Sequence, residues 1–184
     1  MAKAAQDSGR WGIPWRMIGW GAAALLLLVP LVAMRYSNEV DWSAADFLFM
    51  AALFGGIGLA FEFVVRRSNS VAYRFAAALA LLAAFLTIWV NAAVGMIGSE
   101  DNRLNLMFGG VLLIALIGAI IARLKPAGMM RAMLAAAIAQ AVAGTIGLAT
   151  DPLGGGLSMG FALPWLLAAA LFRKAARGGT IKPS

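Results

Sequence analysis

The chain has 184 residues, 62% of them hydrophobic and 12% charged, with a net charge of +7 and a mean hydropathy of +0.87. A chain this apolar cannot hide its hydrocarbon surface in a core of its own, so a water-soluble globule is excluded and lipid is its main solvent. With no cysteine and no histidine, disulfides, thiol chemistry and the usual ligands of haem, copper and zinc are absent, and no cofactor is expected.

A helix needs about 20 apolar residues to cross a hydrocarbon core of about 30 Å, and six stretches qualify. The first, 14–34, starts at Pro14, a position where proline is tolerated, and Pro30 inside it predicts a kink. Its basic lead-in resembles a signal peptide, but Leu31 is too large for a small-x-small cleavage site ending at Ala33, so an uncleaved helix is expected. The second, 44–65, opens with Ser43 and Asp46 at the spacing of a capping box. Gly55, Gly56 and Gly58 thin one of its faces, and Glu62 stands four residues before Arg66, the spacing of a helical ion pair.

The third helix, 75–97, carries Thr87, Asn91 and Gly95 at four-residue intervals. A polar run, Gly98-Ser99-Glu100-Asp101-Asn102-Arg103-Leu104-Asn105, leads into the fourth, 104–122, which contains Gly109 and Gly110. Pro126 and Gly128 break the chain before the fifth, 129–149, where Ala135, Ala139 and Ala143 form a small-residue face and Gln140 lies near the centre. Asp151-Pro152 reads as an N-cap with a first-turn proline, and Pro164 predicts a second kink in the sixth helix, 152–172. Residues 1–13 and 173–184 are left as tails. Continuous apolar runs exclude a transmembrane barrel. The expected fold is all-α and polytopic: six transmembrane helices as three short-looped hairpins in a single bundle.

Lys and Arg are shared unequally between the two sides. Thirteen lie in the segments 1–16, 66–74, 123–131 and 173–182, against only Arg35 and Arg103 on the other side. Positive loops stay cytoplasmic, so both termini are expected in the cytoplasm. Basic residues divided among four short segments form no long basic arm, which argues against nucleic acid as a partner.

The opposite face collects Glu39, Asp41, Asp46, Glu100, Asp101 and Asp151, six of the eight acidic residues. Helix starts on that side account for Asp46 and Asp151, because a helix N-terminus favours carboxylates. The 98–105 run is less fully explained by one cap. Glu100, Asp101 and Asn105 offer oxygen ligands to a hard cation, without the alternating spacing of a calcium loop. With Asn91 and Gln140 they outline a candidate polar path from the outer turn towards the midplane. The competing reading of the two amides is interhelical hydrogen bonding. The glycines at 55, 56 and 58 and the alanines at 135, 139 and 143 are the candidate surfaces for close helix packing, inside the bundle or against a partner.

Trp89-Val90-Asn91, Gly98-Ser99-Glu100-Asp101-Asn102 and Gly128-Met129-Met130-Arg131-Ala132 together resemble a group of small multi-pass bacterial membrane proteins that carry no assigned activity. The resemblance covers about a third of the chain, from Trp89 through Gln140, and implies a bacterial inner membrane without implying a reaction. Glu62 is the only carboxylate deep in a span and has no serine or histidine partner in the sequence, so no nucleophile and base can be assembled and an enzyme is not expected. Two functions remain open. One is a structural or accessory subunit that packs, beside lipid, against a larger membrane complex or a second copy. The other is a small transporter or channel using the polar path, although Pro30 and Pro164 do not occupy matching positions in the two halves, as an inverted repeat would require.

Overall fold

The computed structural model describes residues 12–37 and 40–178, with side chains from residue 17 onward. All regular structure among them is helical: α1 (Gly12–Tyr36), α2 (Ala44–Val65), α3 (Val71–Ala93), a 3₁₀ turn at Arg103–Asn105, α4 (Leu106–Ala122), α5 (Pro126–Gly147), α6 (Pro152–Gly160) and α7 (Ala162–Gly178). α6 and α7 make up one span, so six segments are long and apolar enough to cross a membrane. The protein is an all-α polytopic membrane protein.

The interruption between α6 and α7 falls at Phe161, next to the residue four positions before Pro164. Proline lacks an N–H and its ring crowds the carbonyl four residues back, which locates the break the sequence predicts. α3 ends earlier than its hydropathy suggests. Val94 caps it and Gly95 follows with φ +76°, a left-handed residue that stops a helix. Residues 94–97 are therefore loop, and Gly95 leaves the helical face shared by Thr87 and Asn91.

Contacts divide the chain into two compact units, residues 1–59 and 60–184. In the first, the expected capping box is formed: Ser43 N–H and Oγ–H donate to Asp46 Oδ2 at 2.8 and 2.7 Å, and Asp46 N–H donates to Ser43 Oγ at 3.3 Å. Gly58 backs onto the indole of Trp20, whose ring would lie 3.0 Å from an added Cβ. Among the described side chains of α1 only Pro30 is buried.

In the second unit α5 is the centre. It packs against α4, α6 and α7, and α7 in turn packs against α3. Its buried face is built from small and flexible residues, Ala132, Met133, Ala136, Ala137, Ala143 and Gly144, which let helices approach closely. Gly118 of α4 faces Ala132 and Gly128 of α5 faces Ala122, each with no room for a Cβ. Tyr73, Phe108, Trp165 and Phe172 supply the bulk of the core, with Tyr73 edge-on to Phe172 at 5.1 Å. α3 and α4, consecutive in the chain, barely touch. Trp89 is 42% exposed and its ring lies tilted against Phe85 of its own helix, because it lies opposite the face of α3 that meets α7.

Candidate functional site

The polar residues singled out in the sequence converge on the connection between α3 and α4. Beyond Gly95 the chain folds inward, burying Met96 (5% exposed) and Ile97 (0%), and two consecutive buried amide N–H groups then need acceptors. Asn105 provides both. Its Oδ1 accepts from Met96 N–H at 3.1 Å and from Ile97 N–H at 2.9 Å, while its Nδ2 donates to the Ser99 carbonyl at 2.7 Å. The side chain, 3% exposed, spans the whole loop. Asn91, on the last turn of α3, donates from Nδ2 to the Asn105 carbonyl at 3.2 Å.

Gly95 is obligatory here. A Cβ at that position would fall 2.5 Å from the Ser99 carbonyl oxygen and 2.7 Å from Asn105 Nδ2, in a backbone conformation that side chains resist. Asn102 closes the outer edge, accepting from Leu104 N–H at 3.0 Å and capping the 3₁₀ turn.

The loop is fastened to α5 and α6 from beneath. Ser158 Oγ donates to the Met96 carbonyl at 2.9 Å, and Gln140 Nε2 donates to the Ser158 carbonyl at 3.0 Å. Asp151 clasps two elements at once: Oδ1 accepts from Gly154 N–H at 3.0 Å as the N-cap of α6, and Oδ2 accepts from Gly98 N–H at 2.8 Å. These backbone bonds, first from Gly154 and then from Gly98, hold the Asp151 carboxyl below its ordinary value. Such close approach requires glycines. An added Cβ on Gly147 would meet the Ile97 side chain at 2.5 Å, on Gly144 the Met159 side chain at 2.6 Å, and on Gly155 the α5 backbone at Leu148 N.

Asn91, Asn105 and Gln140 are thus brought into one connected set. Glu100 and Asp101 are not: both are exposed, on the outer edge of the turn. With the Asn105 oxygen already engaged by two N–H groups, these residues form no oxygen cage, and no group of three or more acidic residues that could hold a metal ion occurs among the described residues. Asn91 sits within the last turn of α3, because the helix ends at Ala93.

Three buried polar atoms among the described residues have no hydrogen-bond partner: Asn91 Oδ1, Gln140 Oε1 and Trp165 Nε1. Of the predicted packing residues, Gly58 and Ala143 are in contact or buried, Ala139 is half-buried, and Ala135 is exposed. Gly55 and Gly56 face open space, with nothing within 4 Å of an added Cβ. The residues that sequence reasoning missed are Ser158 and the glycines at 147, 154 and 155. A spacing signal was present, since 144 and 147 lie on one face of α5 and 154 and 155 follow Asp151 directly.

No protein family, curated protein or solved structure matches the chain.

Proposed function

We propose that this protein is an accessory subunit of a larger complex in a bacterial inner membrane, with both termini cytoplasmic and no reaction of its own. The single observation that carries the reading is that, among the described residues, nothing lies within 4 Å of a Cβ placed on Gly55 or Gly56 of α2. Small residues on a membrane helix are the usual means of bringing another backbone close, and no described residue uses these two in that way. The largely exposed apolar stretch of α1 belongs to the same unit. Meanwhile the amides at 91, 105 and 140 already donate to carbonyls, which removes much of the polar lining that a solute path would need.

Replacing Gly55 and Gly56 together with leucine tests this directly. Among the described residues nothing lies within 4 Å of a Cβ at either position, so the expected result is normal accumulation with loss of association with the complex. Unchanged association in the double variant refutes the docking face.

A transport reading retains one specific support, the unpartnered acceptors Asn91 Oδ1 and Gln140 Oε1. Under it, Asn91→Leu and Gln140→Leu each lower solute flux at unchanged protein level. Under the accessory reading neither alters flux.

A further inference from the structure

Because α3 and α4 barely touch, a cavity of about 630 Å³ opens between them, within the 300–1,000 Å³ range typical of small-ligand pockets. α3 lines it from Ala77 to Ile88. The eleven residue-to-residue steps rise about 16 Å, about half the thickness of a hydrocarbon core of about 30 Å. Apart from the indole N–H of Trp165 and two charged side chains the lining is apolar. The charged ones are Arg67 and Arg123, which follow the C-terminal ends of α2 and α4, and no carboxylate lines the space. Helices alternate in direction, so both arginines stand at the same end of the bundle. The guanidinium of Arg67 rests over the Phe63 ring, 4.6 Å from its centroid. Glu62, the carboxylate nearest in sequence, is engaged by Arg66 at 3.6 Å.

The turn that seats Arg123 is built at a cost. Arg123 and Leu124 both adopt left-handed conformations, φ 49° and 59°, which residues with a Cβ disfavour. Both line the cavity. Tyr73 holds the turn, its hydroxyl donating to the Leu124 carbonyl at 2.7 Å, while Leu124 N–H donates to the Ala119 carbonyl at 3.3 Å. A tighter stop to α4 with a glycine at this position would avoid the strain and forgo the cation at the mouth.

We propose that the cavity holds an acyl chain of an anionic phospholipid whose phosphate is gripped by Arg67 and Arg123. An apolar shaft about one leaflet deep takes the chain, and two guanidinium groups with no acidic neighbour in the lining match a phosphate that carries net negative charge. A zwitterionic headgroup would bring its own cation against the arginines.

Full-length protein in mild detergent is titrated with phosphatidylglycerol and with phosphatidylcholine of the same chains, and retained lipid is counted by native mass spectrometry. Each arginine near a membrane surface contributes about fivefold to anionic preference, the pair about twenty-five-fold. Arg67→Gln and Arg123→Gln each reduce the preference about fivefold. Arg123→Gly does the same while relieving the left-handed strain, so the loss is not one of folding. Ala84→Phe, which fills the shaft and leaves both arginines in place, abolishes retention. Equal retention of the two lipids, an undiminished preference in the arginine variants, or retention that survives Ala84→Phe overturns the proposal.

Discussion

Replacing Asn105 with alanine removes the side chain that spans the α3–α4 connection. Its Oδ1 is the acceptor for two amide N–H groups, on Met96 and Ile97, residues that are 5% and 0% exposed. Neither N–H gains access to water when the amide is lost, and an unsatisfied buried donor costs about 1–3 kcal/mol, giving about 2–6 kcal/mol for the pair. The third bond, from Nδ2 to the Ser99 carbonyl, adds little because Ser99 is exposed and its oxygen rehydrates. Asn105→Asp keeps both acceptor bonds but turns the Nδ2 donor into an oxygen facing the Ser99 carbonyl and buries a charge, so it destabilises as well. The assay is reversible unfolding in mixed micelles by denaturing detergent, with hydrogen exchange at residues 96 and 97 as the local readout. Alanine that costs less than about 1 kcal/mol with both amides still protected refutes the assignment of Asn105 as the structural staple.

Gly155→Ala places a methyl against the α5 backbone at Leu148 and Gly147 and lowers stability by about 1–3 kcal/mol. Gly156→Ala, with nothing within 4 Å, raises it by up to about 1 kcal/mol through helix propensity, and thermal unfolding of the pair separates packing from propensity. Asp151 has a folded pKa held below the ordinary 3.8 by backbone N–H bonds. The stability it contributes is therefore fully present above about pH 4 and is lost as pH falls through the depressed value. Asp151→Asn flattens that acid limb of the stability profile, which a pH series of melting curves detects. Ser158→Ala leaves the Met96 carbonyl without its hydroxyl donor and costs about 1–3 kcal/mol, less than the loss at Asn105.

The bounds of α2 are readable to the residue because Ser43 and Asp46 mark its start with a local hydrogen-bonding pattern and the positive-charge run marks its end. The end of α3 is not. Val94, Met96 and Ile97 extend the apolar run, and hydropathy treats burial in protein and burial in lipid alike, whereas the decisive quantity is the positive φ of Gly95. Asn105 is identifiable as notable but not as a staple, since its three bonds join groups six to nine residues apart through a loop whose shape the side chain itself imposes. Ser158 in a glycine-rich apolar run carries no local mark of a bond made across 62 residues to Met96. Of the small-residue face expected on α5, 143 is buried and 139 half-buried, but 135 is exposed while 136 and 137 are buried, because alanine is so frequent in this helix that composition does not select the face.

Gentle extraction of the native protein from its membrane, followed by sizing and mass spectrometry of what co-migrates, tests the accessory reading most directly. The expected result is stoichiometric recovery in a larger assembly that the Gly55→Leu/Gly56→Leu variant fails to join. Migration of the native chain alone, or an assembly indifferent to that variant, contradicts it.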